Sequence, residues 1–432
     1  MFRLCIVLGL ILHALLLTLT PALARDKPAR GESGHPAADW GRFRGSNGSG
    51  LAPGKGIPTT WSDDEVNWKV ALPGNGHAQP VIWGKRIFLR AANKDGTKRS
   101  LFCLRVKDGS TEWSHEYDAV ADEIHELSSH ASSTPALDSE RVYILYGTSA
   151  VGWIKAYTHA GAEVWTEDLG AFKTVHGHGS SPIVFRDMVI VAKDVKTDSF
   201  LAAFDRKTGE ERWRIPSENK LVSYSTPCVY EPPTGNPQVI FNSKARGITA
   251  VDALAGIIVW QAKVLERRAV SSPVLGPGIV IGTTGSGPGG NYLVAVKLGG
   301  EGDVTKTHLA YKITHAAPYV PTPVVRGDRM FLWNRMGIVS CARVQDGEIL
   351  WRERVGGNYY GSPICLDDRL LCVSTDGEVV VVAARDKFKV LGRTPLGESC
   401  NSTPAVAGGR LYLRTLTHLI SVGNKDASRP TR

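Results

Sequence analysis

The chain has 432 residues, of which 42% are hydrophobic and 22% are charged, and it contains 46 glycines and 24 prolines. This length exceeds what one ordinary hydrophobic core holds, so a single-domain fold would have to be a barrel or a ring of repeats. The many turn residues favour an all-β chain. The net charge of +9 suits anionic envelope polymers, but no dense run of lysine and arginine supports nucleic-acid binding.

The first 24 residues have the features of a secretory signal peptide. Arg3 gives a basic start, an apolar stretch runs from Leu4 to about Leu19, and small residues flank a leucine at 22–24. The apolar stretch is short for a membrane span, so we expect cleavage near Ala24. The mature protein is then exported to the periplasm or secreted, with no transmembrane segment.

The rest of the chain divides by composition and repetition. Residues 25–60 are predicted to be a leader and N-terminal extension, because their first part is polar and rich in proline and glycine. Residues 61–423 are predicted to form one repeat domain, and residues 424–432 a loose tail.

A short segment that ends in Ser-Pro, Thr-Pro or a related pair recurs eight times in this repeat domain. Successive copies are roughly 40 to 55 residues apart, which is the spacing of a repeat protein. The prolines of the eight copies are Pro80, Pro135, Pro182, Pro227, Pro273, Pro323, Pro363 and Pro404.

Each copy begins a unit of four short strands, and in several units the later turn carries Asp-Gly or Thr-Gly, as in residues 200–213. Antiparallel units of this size are typical of propeller blades, which bury their faces only against neighbouring blades. The sequence therefore predicts an all-β fold, an eight-bladed β-propeller of four-stranded antiparallel blades.

A tryptophan early on the fourth strand supplies a check on the register. Tyr311 and Leu391 are predicted to lie in its place in units five and seven. The last unit reaches residues 417–423 without a fourth strand, whereas Trp68 lies in a matching segment with no complete unit before it. We therefore expect residues 64–72 to supply the outer strand of the last blade and to close the ring.

Two motifs carry a family resemblance. The segment AAFDRKTGEERW at 202–213 resembles the pyrroloquinoline quinone (PQQ)-type propeller repeat, and DWGRFRGSNGSG at 39–50 resembles the N-terminal signature of exported bacterial PQQ-like propellers. The resemblance covers nearly all of residues 61–423. It implies an eight-bladed ring, similar to the propeller subunit of the outer-membrane barrel-assembly machinery.

The resemblance implies two functions, because the repeat fixes the fold better than the activity. Quinoprotein dehydrogenases of this type hold PQQ and calcium on the axis and commonly carry adjacent cysteines, which this chain lacks. We therefore expect a monomeric, non-enzymatic scaffold that binds envelope proteins or anionic polymers and has no cofactor. The alternative is a PQQ-dependent oxidoreductase with its ligand, PQQ with calcium, at the mouth of the axial channel.

Residues just before each Ser/Thr-x-Pro segment enter the innermost strands, so they should surround one mouth of the central channel. Histidines and aromatic residues at such a mouth could bind a planar or polar ligand, or they could simply fill the wide centre of the ring. The predicted ligand-binding residues are His77, His130, His178, Tyr224, Tyr319, Tyr360 and Asn401.

A metal site is a more specific alternative at the same mouth of the channel. Imidazoles of His130, His176 and His178 suit zinc or copper and would serve a metal-dependent hydrolase. No carboxylate or thiol completes the set at a fixed spacing, so we expect no metal there. The glycine-rich run at 285–290 matches a dinucleotide-binding pattern, but a strand-like segment follows it instead of a helix.

Overall fold

The computed structural model describes residues 40–218, 221–287 and 289–425. These residues form eight sheets, each built around four antiparallel strands, and the sheets are the blades of a ring. The helices in the described ranges are two 3-10 turns, Ser46–Gly48 and Asp63–Glu65, and none has the length and apolarity of a membrane span. The predicted all-β, eight-bladed propeller is confirmed. The proposed signal peptide, residues 1–24, lies outside the described residues.

In blades 1 to 4, the four strands follow one another along the chain from the innermost strand to the outermost. The fourth blade also gains a short parallel strand, Gly302–Asp303, on its outer edge. The strands of these blades are Val81–Trp83, Arg86–Ala92, Lys98–Arg105 and Thr111–Asp118; Ala136–Leu137, Arg141–Gly147, Gly152–Thr158 and Glu163–Asp168; Ile183–Phe185, Met188–Lys193, Ser199–Asp205 and Glu211–Ser217; and Cys228–Tyr230, Gln238–Ser243, Gly247–Asp252 and Ile258–Ala262.

Blades 5 to 8 repeat the plan, and the seventh gains Leu51–Ala52 as a parallel strand along its innermost strand. The strands are Val274–Gly276, Ile279–Thr284, Tyr292–Lys297 and Leu309–Ile313; Val324–Arg326, Arg329–Trp333, Ile338–Arg343 and Ile349–Arg354; Ile364–Leu366, Arg369–Val373, Glu378–Ala383 and Val390–Pro395; and Ala405–Ala407, Arg410–Arg414, His418–Gly423 and Val66–Ala71.

The last blade takes its outer strand from the N-terminal side of the chain. Val66–Ala71 pairs antiparallel with His418–Gly423, and Trp68 lies opposite Ser421. The indole Nε1 of Trp68 donates a hydrogen bond of 3.1 Å to the carbonyl of Val106 in blade 1. The predicted closure by an N-terminal strand is confirmed, and the same strand fastens blade 8 to blade 1.

Tryptophans on the outer strands join neighbouring blades in the same way. Trp165 donates to the carbonyl of Arg206 at 3.1 Å, and Trp213 donates to the carbonyl of Ala253 at 2.9 Å. The Trp165 ring covers Gly209, where φ is +85° and an added Cβ would come within 2.8 Å of the ring. The Thr-Gly turn is therefore needed both for its positive φ and for contact with the preceding blade.

The two units without this tryptophan use different solutions. Tyr311 takes its place as predicted, and its hydroxyl donates to the carbonyl of Val344 at 2.6 Å. The prediction for Leu391 is wrong by one residue, because the turn before this strand is one residue longer than in blade 3: Val381 pairs with Gly392, eleven residues on, whereas Ala203 pairs with Trp213, ten residues on. Gly392 has no room for a side chain, since a Cβ there would lie 2.4 Å from the Thr60 side chain. The incoming N-terminal segment fills the space of the missing indole.

The hydroxyl residue before each repeated proline explains why Ser-Pro and Thr-Pro recur. Each hydroxyl accepts a hydrogen bond from the backbone N–H at the equivalent position of the preceding blade, so the inner strands are linked around the axis. The acceptors are Thr134, Ser181, Thr226, Ser272, Thr322, Ser362 and Thr403, with donor–acceptor distances of 2.9 to 3.1 Å. We call this set the hydroxyl ring.

Blade 1 carries Gln79 where the other blades carry a hydroxyl. Its side-chain amide nitrogen donates to the carbonyl of Pro404 in blade 8, and its oxygen Oε1 accepts from the backbone N–H of Arg44 at 2.7 Å. The longer side chain therefore completes the link between the first and last blades and also holds the N-terminal segment.

Residues 40–50 cross the axis of the ring, and we call them the axial segment. Arg44 is fully buried, and its guanidinium donates to the carbonyls of Pro363 at 2.7 Å and Pro323 at 2.8 Å. Arg42 donates to the carbonyl of Pro227 on the other side of the axis. The segment that resembled a family signature therefore binds the repeated prolines of three blades.

Candidate functional site

A pocket of about 560 Å³ opens at one mouth of the axial channel. Its lining includes Phe43 of the axial segment and four members of the hydroxyl ring, Thr226, Thr322, Ser362 and Thr403. Because these residues lie at the innermost strands, the axial segment and the hydroxyl ring form the floor of the pocket. We call it the axial pocket.

The structure brings five of the seven predicted ligand-binding residues together in this pocket. His77, Tyr224, Tyr319, Tyr360 and Asn401 all line it. The Nδ2 of Asn401 lies 3.4 Å from Nε2 of His77, and burial together with Arg414 lowers the pKa of His77 to about 4. Their role in ligand binding stays a prediction.

His130 and His178 are not among the lining residues. His130 lies beside Arg99, with 3.4 Å between Nδ1 and a guanidinium nitrogen. His178 is buried against Phe172, with ring centroids 4.7 Å apart, and its burial lowers its pKa to about 3. These two side chains therefore serve the packing between blades rather than the pocket.

The alternative metal set of His130, His176 and His178 is not assembled. His176 lines the axial pocket, whereas the other two do not. Within the described ranges, no group of three or more histidine, cysteine, aspartate or glutamate residues is arranged to hold a metal ion.

The loop at 125–128 was not predicted to belong to the site, but it forms one wall of the axial pocket. Ser128 Oγ lies 3.1 Å from Nδ1 of His176, and Nε2 of His176 lies 3.0 Å from Arg268 Nη1. Because the guanidinium can only donate, Nε2 is the acceptor and the imidazole is neutral. Burial and the charge of Arg268 lower the pKa of His176 accordingly.

Two arginines in the pocket wall were also missed. Arg268 stacks 5.9 Å from the ring centre of Tyr224, and Arg335 Nη1 donates to the Tyr360 hydroxyl at 3.1 Å. The repeat alignment placed Ala269 at the rim of blade 5, one residue after Arg268. Arg335 lies in the turn between the second and third strands of blade 6, which contributes nothing to the Ser/Thr-x-Pro pattern.

Several polar atoms of the lining are buried without a hydrogen-bond partner in the described part of the chain. They are the hydroxyl of Tyr224, Oδ1 of Asn401 and Nε of Arg268. Buried polar groups are normally hydrogen-bonded. Each of these atoms is also sealed from solvent, so a polar ligand or water would reach it only after the wall moves.

The sequence of this propeller matches the model of a known protein family. The family model described as outer membrane protein assembly factor BamB matches residues 54–153, 150–304 and 303–415. The chain belongs to the BamB family. The matched ranges run from the N-terminal extension into blade 8 and end before its strand His418–Gly423.

Solved structures similar to this BamB-family chain show the same fold. BamB from Moraxella catarrhalis is 16% identical, with a TM-score of 0.57 over 82% of this chain and 96% of that one. Quinohemoprotein alcohol dehydrogenase from Comamonas testosteroni is 12% identical, with a TM-score of 0.65 over 94% of this chain and 82% of that one. The computationally designed protein Ika8 is 10% identical, with a TM-score of 0.57 over 83% and 99%.

At such identities the similarity establishes the fold alone. No curated protein sequence matches the chain significantly. The function of this BamB-family propeller must therefore be argued from its own pocket.

Proposed function

We propose that this propeller is a monomeric, non-catalytic binding module, exported to the cell envelope, that takes its ligand in the axial pocket. The observation that carries the proposal is the concave axial pocket, which Arg268, Arg335 and three tyrosines line together. The BamB family description, an outer-membrane assembly factor, supports an envelope location and binding to envelope proteins or polymers. Removal of the proposed signal peptide near Ala24 belongs to the same proposal.

The chemistry of the pocket favours binding over hydrolysis. Ser128 and His176 are in hydrogen-bond contact, which resembles a nucleophile and its general base. A working pair needs a carboxylate on the other imidazole nitrogen, to stabilise the imidazolium that forms. Here that nitrogen meets Arg268 instead, so a positive charge opposes proton uptake by His176.

The experiment is native mass spectrometry of the protein purified from its source. It compares the wild type with a variant in which a larger side chain fills the pocket. Val270 lines the pocket, so Val270→Trp should occupy its space and abolish the mass of a bound ligand or protein. Val164 is exposed on the outer strand of blade 2, and Val164→Trp is the matched control that should retain it. Equal retention by both variants would remove the pocket from the proposal.

A PQQ-dependent oxidoreductase is the alternative function. The arginines and tyrosines of the pocket suit an organic acid, but Glu126 is the one carboxylate among the residues that line it. Calcium takes six to eight oxygen ligands, mostly carboxylates and carbonyls. The residues present therefore do not fit a calcium-bound quinone. Dehydrogenase activity of protein reconstituted with PQQ and calcium, lost in Val270→Trp, would reverse this conclusion.

A further inference from the structure

The axial pocket concentrates positive charge that nothing in its wall balances by contact. Arg268 and Arg335 both line it, and in the described ranges neither forms an ion pair with a carboxylate, although many other arginines of the chain do. Their side-chain contacts are with neutral groups, an imidazole and a tyrosine hydroxyl. Two cations at the wall of one concave site favour an anionic ligand.

The planar guanidinium fork restricts the kind of anion. It matches a carboxylate or a phosphate through two parallel hydrogen bonds, which a lysine cannot do. Arg268 lines the pocket, but its Nε is sealed from solvent, so its terminal guanidinium nitrogens are the ones that a ligand can meet. Arg335 is partly exposed at the mouth and can approach a ligand from the other blade.

The remaining wall suits a ligand rich in hydroxyl groups. Tyr224, Tyr319 and Tyr360 line the pocket together with four members of the hydroxyl ring. A sugar hydroxyl can donate to one such hydroxyl and accept from the next, and a sugar ring packs against an aromatic face. The pocket volume of about 560 Å³ lies within the usual range of small-ligand sites. The pocket is too concave to receive the flat surface of a protein partner.

We propose that the axial pocket recognises a carboxylated sugar, a uronic acid unit of an acidic oligosaccharide. Arg335 and Arg268 bind the carboxylate, and Tyr224 and Tyr319 hold the sugar ring. This inference rests on the proposed binding function and names its ligand class. Phosphate polymers and acidic peptides share the negative charge but lack the combination of planar carboxylate and hydroxylated ring.

The test is calorimetric titration of the whole mature protein with trimers of galacturonate, mannuronate and glucuronate, each beside its neutral sugar. At least one uronate trimer should bind at least ten-fold more tightly than its neutral counterpart, and the affinity should fall with added salt. Arg335→Gln should weaken that binding at least ten-fold, and Arg335→Lys should recover only part of it. Arg326→Gln, an exposed arginine of the same blade, is the control and should bind as the wild type does.

Three outcomes would overturn the proposal: no uronate trimer binds, the neutral trimer binds equally well, or inorganic phosphate or an oligoglutamate peptide competes better than the uronate. The melting temperature of each variant is measured first, so that lost binding is not confused with unfolding. If native mass spectrometry shows a neutral ligand or a protein in the pocket while the uronates fail, the binding function stands and the sugar assignment falls. If Val270→Trp changes nothing, both fall together.

Discussion

Arg44 is the residue whose replacement tests the architecture most directly. Its guanidinium is fully buried on the axis, where burial lowers its pKa to about 9. It donates to the carbonyls of Pro363, Pro323 and Gly48 at 2.7, 2.8 and 3.1 Å. Arg44→Met keeps the length and apolar body of the side chain but removes every one of these donors. We expect the variant to fold with a weakened ring.

The magnitude follows from the three shortest of the five hydrogen bonds that this guanidinium donates to backbone carbonyls, the other two going to Thr322 and Ser49 at 3.3 Å. A buried carbonyl left without a hydrogen bond costs about 1 to 3 kcal/mol. Methionine avoids the desolvation of a buried charge, so the lower end applies, which gives about 3 kcal/mol in the free energy of unfolding. With an unfolding entropy of about 2.1 cal/mol/K per residue over about 360 residues, the melting temperature should fall by about 4 °C.

The assay is differential scanning calorimetry of the wild type, Arg44→Met and the exposed control Arg326→Met. The control removes an arginine of similar size from the rim of blade 6 and should melt within about 1 °C of the wild type, as surface substitutions usually do. Arg44→Lys should melt well below the wild type, because an ammonium group lacks the planar fork that spans two carbonyls. Equal melting of Arg44→Met and the wild type would show that the axial segment does not stabilise the ring.

Three further predictions follow from the contacts between blades. Trp213→Ala should lower the free energy of unfolding by about 3 to 5 kcal/mol and Trp213→Phe by about 1 to 2 kcal/mol in urea titrations, because only the first also opens a cavity; equal losses would contradict the packing role. His178 has a pKa of about 3 in the folded state, below its unfolded value. The unfolded chain therefore binds the extra proton as pH falls from 6.5 toward 3, and stability drops in that window; His178→Leu should flatten the decline in urea titrations at pH 7, 5 and 4, and an unchanged slope would refute this. Gln79→Thr restores the repeat consensus yet should lower the melting temperature, because the shorter side chain loses Arg44 and Pro404; a rise on calorimetry would show that the consensus hydroxyl suffices.

Much of the fold could be predicted because each repeat uses the same short-range sequence features to make its contacts. The hydroxyl before each proline, the Thr-Gly turn and the tryptophan each make the same contact in successive blades, so their spacing reports the blade count directly. Ring closure could be predicted from Trp68 for the same reason. The prediction for Leu391 was wrong because the turn before the fourth strand of blade 7 is one residue longer, so that Gly392 takes the tryptophan position and Thr60 fills the space of the indole.

The candidate site was harder to predict than the fold. The rim positions of Tyr224 and Asn401 follow from the repeat register, and both line the axial pocket. Arg335 lies in a turn outside that register, so no spacing argument could reach it. His178 occupies a rim position in the alignment, but its ring turns to Phe172, and the direction of a side chain is not encoded in the spacing of a repeat.

The pairing of Val66–Ala71 with His418–Gly423 has a consequence for how the molecule is made. The strand that emerges early from the ribosome finds its neighbour only after nearly the entire domain has been synthesised. Until then its unpaired backbone is a template for misassembly. Contacts so distant in sequence make for slow folding, so a chaperone that shields this strand should raise the yield more than one that shields any other blade edge.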